Sequence, residues 1–200
     1  MNLHTAGRDS RAEIQHLMSV NRNLVSPQKN QPVIAYVQDT LLGVFRLTHM
    51  STFITPEHFV SILRQGAHYL SKPYSEPAIR WRDPSSTRWY QAYTGKQLFS
   101  MICPCIHLER RCRGLDDRSF LDARERLVVI RRGQLLCGQL CKDTMGSVQG
   151  GVVHVTCLDL SNETASHFLS DSSRVVAEWF QEHGFSVGIS DIWVNQGTHN

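Results

Sequence analysis

Four polar side chains near the N-terminus have the types and spacing to line a cavity that accepts a polar ligand. They are those of Gln28, Asn30, Gln38 and Asp39. The first two belong to a polar loop in which Pro27 and Pro32 fix φ and remove two backbone donors, so that the loop suits neither a helix interior nor a central strand. The apolar run at 33–37 predicts a short buried strand that ends at the second pair. A stiff loop followed by such a strand often holds side chains at a cavity, but on pattern alone an ordinary surface loop is favoured.

The cysteines suggest metal binding as a second kind of chemistry. The zinc candidates form a C-x-C-x6-C pattern with a nearby histidine, and they are Cys103, Cys105, His107 and Cys112. Cys137 and Cys141 form another pair, whose apolar flanks look like strand core. Structural zinc usually needs two closely spaced pairs of cysteine or histidine ligands. Buried, reduced thiols are therefore favoured over zinc, and no disulfide framework is expected in an intracellular chain of this size.

Carboxylates arranged for metal-assisted phosphoryl transfer are not found in the sequence. Such chemistry needs several oxygen ligands that converge on ions about 4 Å apart. The sequence contains no Asp-x-Asp-x-Asp, and the adjacent Asp116 and Asp117 should point apart in an arginine-rich stretch. The glycines at 146–151 are not followed by the Gly-Lys-Ser/Thr of a phosphate-binding loop. The residues alone predict no self-contained catalytic centre.

Length and composition predict a globular chain of one domain, or of one domain with an appendage. It has 200 residues, of which 41% are hydrophobic and 20% charged, and its net charge is +3. Eight arginines and five acidic residues alternate within 107–133, which favours a solvated loop with local ion pairs over a phosphate-binding cluster. No apolar run approaches the length of a membrane span and no apolar signal segment follows the N-terminus, so we expect an intracellular protein.

Hydrophobic spacing and capping residues predict an α+β fold that is mostly helical. Helices are predicted from a capping box at 10–13, over 40–47, from Thr55 to Gly66, from Thr94 to Met101, from Ser161, and from Asp171 or Ser172 to Gly184. The first helix should pack on the core through Ile14, Leu17 and Met18. A β-hairpin is predicted around Gly133, which supplies a positive φ, and residues 152–155 have strand propensity.

Other aromatic and basic residues allow two interpretations each. Residues 71–88 are rich in proline and predict a surface loop. Trp81, Trp89 and Tyr90 lie in or beside it, and packing beneath the loop is favoured over stacking on nucleobases. Lys96 lies in the first turn of a predicted helix, where the helix dipole disfavours a cation. A solvated lysine is favoured there over a phosphate or partner contact.

Several short segments, in order along the chain, resemble the largest subunit of multisubunit DNA-directed RNA polymerases of the eukaryotic, archaeal and large-DNA-virus type. They are MNLH at 1–4, RAE at 11–13, SPQ at 26–28, VQDTLLG at 37–43, LT at 47–48, TGKQLFS at 94–100, and further segments at 138–142, 150–154 and 184–191. The similar region of that subunit is its pore domain. The resemblance implies a pore domain over 1–191 and an unmatched tail at 192–200. It also implies that residues from 152 onwards begin a helix, which leaves that segment open between strand and helix.

The resemblance also implies roles for individual residues. In the family, the magnesium-binding aspartates stand just before the residues that match Met1 and Asn2, so Mg²⁺ is expected to be bound outside this chain, which would not be catalytic alone. Met1, Asn2 and His4 would lie near the active site. The pore and the path of the RNA 3′ end would be lined by Gln28, Asn30, Gln38 and Asp39. Lys142 would face entering nucleoside triphosphates, with weakened steering because Asp143 stands where some relatives have a second lysine.

The implied partners are the second-largest and smaller polymerase subunits, the DNA template, the RNA 3′ end and nucleoside triphosphates, with no membrane. The implied location is the nucleus, or the host cell or virion for a viral protein. Two alternatives stay open at this point. One is an orphan, non-catalytic fragment that acts as a nucleic-acid-binding or partner-binding module. The other is a small zinc-stabilised adaptor, which depends only on the cysteines.

Overall fold

The computed structural model describes residues 7–67, 72–73, 75–82, 89–112 and 123–189, which fold as an α+β domain. The helices are α1 (Arg8–Leu17), α2 (Gln38–Leu47), α3 (Pro56–Gly66), α4 (Gly95–Ile102), α5 (Lys142–Met145), α6 (Val152–Asp159) and α7 (Asn162–His183). The strands are β1 (Val25–Ser26), β2 (Gln31–Pro32), β3 (Phe53–Ile54), β4 (Ile79–Arg82), β5 (Trp89–Thr94), β6 (Leu108–Arg111), β7 (Leu127–Arg131) and β8 (Gln134–Cys137). They form small antiparallel sheets in the orders β1-β2, β3-β5-β4 and β6-β7-β8. The predicted fold class is confirmed, and none of the helices in the described ranges is long and apolar enough to cross a membrane.

The long helix α7 forms the centre of the core, and α2, α3 and α6 pack against it. Ser161 caps its first turn by accepting the N–H of Thr164 at 3.1 Å, and Gly184 ends it with a φ of 53°. Its buried apolar side chains are Ala165, Phe168, Val175, Val176 and Trp179. These side chains recur at helical spacing, and through them α7 packs against several neighbouring helices.

Two glycines allow the neighbouring helices to approach α7 closely. A Cβ built on Gly66 of α3 would lie 2.8 Å from the backbone nitrogen of Val175. A Cβ built on Gly43 of α2 would lie 2.4 Å from a methyl carbon of Val176. Any larger residue at these positions would push the helices apart, so the glycines fix the spacing between α7 and both α2 and α3.

The predicted helix starts at Thr55 and Thr94 and the predicted hairpin are confirmed. Thr94 and Gln97 form a capping box at the start of α4, and the Thr55 side chain accepts a backbone hydrogen bond at the start of α3. In the β7–β8 turn, both Arg132 and Gly133 have positive φ values, 51° and 69°. The sequence identified only the glycine, whereas this kind of hairpin turn needs positive φ at two successive residues.

The predicted core-facing helix at the N-terminus is wrong in two respects. Helix α1 begins at Arg8 after Gly7, without a side-chain cap, so Ser10 lies inside the helix and forms no capping box. None of its residues is buried, and Leu17 and Met18 are 68% and 62% exposed. The apolar face exists, but within the described ranges nothing covers it.

The predicted buried strand at 33–37 is also wrong. The segment forms no strand, and Val33 and Val37 are exposed. Only Tyr36 is fully buried, where its hydroxyl is hydrogen-bonded to that of Ser172 in α7 and its N–H donates to the Met145 carbonyl at 3.4 Å. One buried tyrosine therefore anchors an otherwise exposed segment.

The strand propensity of residues 152–155 gives way to a helix. In α6, Val152, Val153 and His154 are buried, and α6 packs against α7. Tertiary burial therefore overrides the local preference of β-branched residues for strands.

The predicted break at Asp171 or Ser172 is wrong, because α7 runs through both residues. The Ser172 hydroxyl donates to the Phe168 carbonyl one turn earlier, so the serine is satisfied inside the helix and does not cap a new one. The predicted loop at 71–88 is wrong where β4 lies, because residues 79–82 pair with β5.

Candidate functional site

The polar loop that contains Gln28 and Asn30 is the turn of a two-stranded hairpin. Val25 and Ser26 of β1 pair with β2, and the N–H of Asn30 donates to the Ser26 carbonyl at 2.9 Å. Gln28 and Asn30 are exposed. Asn30 has a φ of 48°, a conformation that asparagine tolerates better than most residues. The turn therefore presents its amides to solvent from a backbone that is hydrogen-bonded on both sides.

A buried histidine that the sequence analysis did not single out supports Asn30. The Nε2 atom of His154, at the start of α6, lies 3.4 Å from the Asn30 side-chain oxygen. The Nδ1 atom accepts the backbone N–H of Gly150 at 3.1 Å, so the ring proton belongs on Nε2 and is donated to Asn30. His154 belongs to one of the matching segments, but nothing in the sequence indicated contact with a residue so distant along the chain.

Gln38 begins α2 in a conformation that its side chain disfavours. Its φ is 48°, and only two other described residues besides glycines have a positive φ. For a residue with a Cβ, this region costs roughly 1–2 kcal/mol. The Gln38 side chain is exposed and makes no hydrogen bond among the described residues, so no local contact explains the strain. Such strain tends to persist at sites where the position of a side chain matters.

Asp39 lies beside Gln38 in the first turn of α2, where a negative charge is favourable. It lines an open cavity of about 230 Å³ between α2 and α7, together with Thr40 and Phe180. The cavity is shallow and mostly apolar. The two members of the predicted pair therefore have different surroundings, since Gln38 does not line this cavity.

Lys142 is exposed at the first residue of α5. Its carbonyl accepts the N–H of Gly146 at 2.9 Å, and a Cβ at Gly146 would lie 2.6 Å from that carbonyl oxygen. The glycine therefore allows the tight turn that follows the lysine. Tyr36, between the hairpin and Gln38, is bonded to the carbonyl at the other end of α5, so the two regions are connected through the backbone.

The structure connects the predicted lining residues indirectly. Asn30 is tied to His154, and Tyr36 is tied to α5 and α7. Gln28, Gln38 and Lys142 are exposed, and among the described residues they form no hydrogen bond or ion pair with one another. Met1, Asn2 and His4 lie outside the described residues. The arrangement is an exposed set of polar groups on connected turns.

The zinc candidates do not come together as a metal site. Cys103 and Cys112 are buried, whereas Cys105 and His107 are exposed. In the described part of the chain, no group of three or more histidine, cysteine or acidic side chains is placed to hold a metal ion. Burial raises the pKa of Cys103 to about 12, which leaves it a neutral thiol in the core.

The Cys112 thiol donates to the Gln139 carbonyl at 3.6 Å, and its pKa is affected by a second cysteine, Cys141. The interaction between the two thiols, together with burial, raises the pKa of Cys112, and the same interaction lowers the pKa of Cys141. In the sequence, these two residues belong to different cysteine patterns, so nothing there indicated an interaction between them. Their interaction depends on how β6 and the segment after β8 pack.

Lys96 is neither solvated nor free for a phosphate, contrary to the interpretations considered for it. Its Nζ atom lies 2.6 Å from both carboxylate oxygens of Glu125, and the two side chains are only 16% and 12% exposed. Lys72 likewise donates to three backbone carbonyls, those of Ser100, Cys103 and Gly133, at 2.7–2.8 Å. Burial lowers the pKa of Lys72. Both ammonium groups therefore stabilise the fold by contacts within the chain. They line an open cavity of about 640 Å³.

The aromatic residues of the β4–β5 ribbon do not pack beneath a loop as expected. Trp81 and Tyr90 face each other across the two strands and stack at 5.4 Å between ring centroids. Both remain exposed, and Trp89 is 66% exposed. Arg82 pairs in register with Trp89. The ribbon therefore presents aromatic and basic side chains to solvent.

Fold and site together define a scaffold that displays polar groups on exposed turns and, in its described part, lacks the clustered carboxylates of a metal-dependent catalytic centre. The chain belongs to the family described as RNA polymerase Rpb1, domain 3, whose model matches residues 23–192. It is 34% identical over 199 residues to the DNA-directed RNA polymerase II subunits RPB1-A and RPB1-B of Trypanosoma brucei brucei. Each match covers 99% of this chain and 10% of the relative, so the chain spans about one tenth of the length of these relatives.

Proposed function

We propose that the chain acts as the pore domain of the largest subunit of a DNA-directed RNA polymerase, lining the channel for nucleotide entry and for backtracked RNA. The observation that carries this proposal is the exposed Gln38 in a strained, left-handed conformation. It lies in a segment that resembles the family and falls inside the family match. Strain without a local structural benefit is expected where a side chain must point at a ligand.

The exposed amides suit a path for nucleic acid. The side chains of Gln28, Asn30 and Gln38 can each donate and accept hydrogen bonds, so they can contact bases and sugars without selecting a sequence. Asp39 would add an acceptor beside them. His154 would act as a positioning residue, since it donates to the Asn30 oxygen and thereby leaves the Asn30 amide N–H groups for a ligand. Met1, Asn2 and His4 are proposed near the active site from the resemblance alone.

Lys142 is proposed to attract entering triphosphates as an exposed point charge. Asp143, the next residue, opposes it, so the attraction should be weaker than with two successive lysines. The assembled enzyme would be a nucleotidyltransferase that needs Mg²⁺. The described residues do not fit a magnesium site, because they bring no three carboxylates together. We therefore assign no step through the ion to this chain.

The proposed partners are the second-largest and smaller subunits, the DNA template, the RNA 3′ end and nucleoside triphosphates. The proposed location is the nucleus, by similarity to the RNA polymerase II subunits. The proposed domain covers residues 1–191, followed by the tail at 192–200.

Nucleotide kinetics of the assembled polymerase test the proposed role of Lys142. We expect Lys142→Ala to raise the apparent nucleotide KM about two- to fivefold at low salt, with a smaller effect at high salt, as for the loss of one exposed charge. The matched control is Arg64→Ala, which removes one exposed positive charge from α3. An unchanged KM for Lys142→Ala, or an equal rise in both variants, would refute a specific role at the channel.

A second candidate function is a nucleic-acid-binding or partner-binding module that works outside a polymerase. The exposed ribbon favours it, since Trp81, Trp89 and Tyr90 are available for stacking beside Arg82. Co-purification separates the two functions. Recovery of the chain with the second-largest polymerase subunit supports the pore domain. Recovery without it, together with quenching of tryptophan fluorescence by single-stranded oligonucleotides, supports the module.

A further inference from the structure

An open cavity of about 420 Å³ lies where the end of α2 and the segment after it meet the last turns of α7 and the residues that follow β8. Its volume is within the range of pockets that hold small ligands. Of the described residues proposed for the channel, which are Gln28, Asn30, Gln38, Asp39 and Lys142, none lines it. The cavity is therefore separate from the proposed channel.

Two buried polar atoms in the lining have no hydrogen-bond partner among the described residues. They are the side-chain oxygen of Gln139 and the indole nitrogen of Trp179. The Gln139 amide nitrogen donates to the Phe45 carbonyl at 2.8 Å, so the reversed amide would bring two oxygens together. The Trp179 indole can only donate. Because buried polar groups are almost always paired, an unused acceptor and an unused donor in one cavity wall indicate a ligand.

The rest of the polar lining favours a ligand with negative charge. Arg46 is exposed, and one guanidinium nitrogen donates to a backbone carbonyl at 3.1 Å, while the group has further N–H donors for an anion. His49 and His183 add two imidazoles that can donate to an anion. In the described part of the chain, no aspartate or glutamate lines the cavity. Glu182, beside His183 in the sequence, lies 2.6 Å from His58 instead.

Planar rings form much of the remaining wall. Five of the nine described lining residues carry one, and they are Phe45, His49, Phe53, Trp179 and His183. The His183 ring stacks on Trp179, with 4.3 Å between centroids and 18° between planes. Aromatic side chains of this kind are the usual platforms for a flat heterocycle. The lining thus combines a donor, an acceptor, a cation and rings.

We propose that this cavity binds a nucleotide, with the base against the rings and the phosphate toward Arg46. Adenine, for example, presents its N6 amino donor beside the N7 acceptor, which would pair with the Gln139 oxygen and the Trp179 indole respectively. Since both protein atoms are covered, a lining side chain must rotate to admit the base, as side chains commonly do on binding. A peptide carboxyl terminus has no flat ring of its own, so the walls favour the nucleotide. The proposal does not depend on the polymerase role.

An NMR titration of the isotope-labelled, full 200-residue chain with adenosine monophosphate tests the proposal. The chain has four tryptophans, and replacing Trp81, Trp89 and Trp193 by phenylalanine, one at a time, leaves the remaining indole N–H signal assigned to Trp179. We expect adenosine monophosphate to shift the Trp179 signal. Adenosine, which lacks the phosphate, should shift it with weaker affinity, and ribose phosphate, which lacks the base, should leave it in place.

Three variants locate the binding. Arg46→Ala should weaken the binding of adenosine monophosphate about two- to fivefold. The matched control is Arg64→Ala, which removes another exposed arginine and should have no effect. Gln139→Leu should weaken the binding about tenfold, because the acceptor is lost. Circular dichroism and thermal melting establish that each variant is folded. If the buried Gln139→Leu change prevents folding, the two exposed arginine variants decide the test.

Four results would overturn the proposal. Adenosine monophosphate could leave the Trp179 signal in place, or shift only those of Trp81 and Trp89, which would put the nucleotide on the β4–β5 ribbon. Ribose phosphate could shift the Trp179 signal as strongly as the nucleotide does, which would reduce the cavity to an anion site. Equal binding by Arg46→Ala and Arg64→Ala would remove the phosphate from the cavity.

Discussion

Replacement of Gln38 by glycine should separate the stability of the fold from its function. Gln38 has a φ of 48° and its side chain makes no hydrogen bond among the described residues. Glycine removes a strain of roughly 1–2 kcal/mol, while its more flexible unfolded chain costs about 0.5–1 kcal/mol. The difference predicts that Gln38→Gly raises the free energy of unfolding by about 0–1.5 kcal/mol.

The assay is urea denaturation of the 200-residue chain, with the midpoint and the slope fitted separately. Arg132→Gly is the matched control, because Arg132 also has a positive φ, 51°, and lies in the exposed β7–β8 turn. Both variants should be as stable as the parent chain or more stable. Gln38→Val should be less stable than the parent, since a β-branched residue fits this backbone poorly.

The functional half of the experiment uses the assembled polymerase. If Gln38 is kept in a strained conformation to contact the RNA 3′ end, Gln38→Gly should impair transcript cleavage after backtracking, while Arg132→Gly should not. A loss of more than 1 kcal/mol of stability in Gln38→Gly would refute the reasoning about strain. Equal cleavage by both variants would refute the reasoning about function.

Three further perturbations test the packing and the thiol chemistry. Lys96→Met should lower the free energy of unfolding by about 3–5 kcal/mol, because it leaves the buried carboxylate of Glu125 unpaired, and the double variant with Glu125→Leu should regain most of that loss in urea denaturation. Gly66→Ala should lower it by about 1–3 kcal/mol, because the added methyl meets the backbone of Val175, and a stability equal to that of the parent would contradict the spacing described for α3 and α7. Alkylation of Cys141 by iodoacetamide, followed by mass spectrometry, should be fast at a pH below the usual range for thiols, because the interaction with Cys112 lowers the pKa of Cys141. The charge of Asp143 opposes this shift, and the charge of Arg110 lowers the pKa of Cys112. Cys112→Ala should slow the reaction at neutral pH.

Local signals in the sequence predicted several elements correctly. The starts of α3 and α4 follow from Thr55 and Thr94, whose hydroxyls cap the next turn in a way that depends only on near neighbours. The β7–β8 hairpin follows from two apolar runs around a glycine. The errors occurred where burial decides the structure. The residues from Val152 onwards form a helix because α6 packs on α7, and Ser172 lies inside a helix because its hydroxyl bonds within it.

The candidate site was predicted as a set of residue types, and only the structure supplied their environments. The resemblance implied that Asn30 would line a channel, but the hydrogen bond of Asn30 with His154 depends on the meeting of two distant segments. The positive φ of Gln38 cannot be inferred from a glutamine, since glycine and asparagine are the residues that usually indicate it. The hydrogen bond from the Cys112 thiol to the Gln139 carbonyl was missed for the same reason, because it joins two segments that are distant along the chain.

The exposed apolar residues near the candidate site bear on the proposed function. Leu17 and Met18 at the end of α1 and Val33 and Val37 beside the hairpin are all more than half exposed, and in the sequence they flank the polar turn and Gln38. A soluble domain working alone has little reason to expose apolar side chains on both sides of a polar segment. A domain that forms one wall of a channel has such a reason, since neighbouring polypeptide would cover the apolar edges and leave the amides facing the lumen. The proposed pore role therefore accounts for the strained glutamine and for the uncovered apolar edges together, whereas a free-standing module accounts for neither.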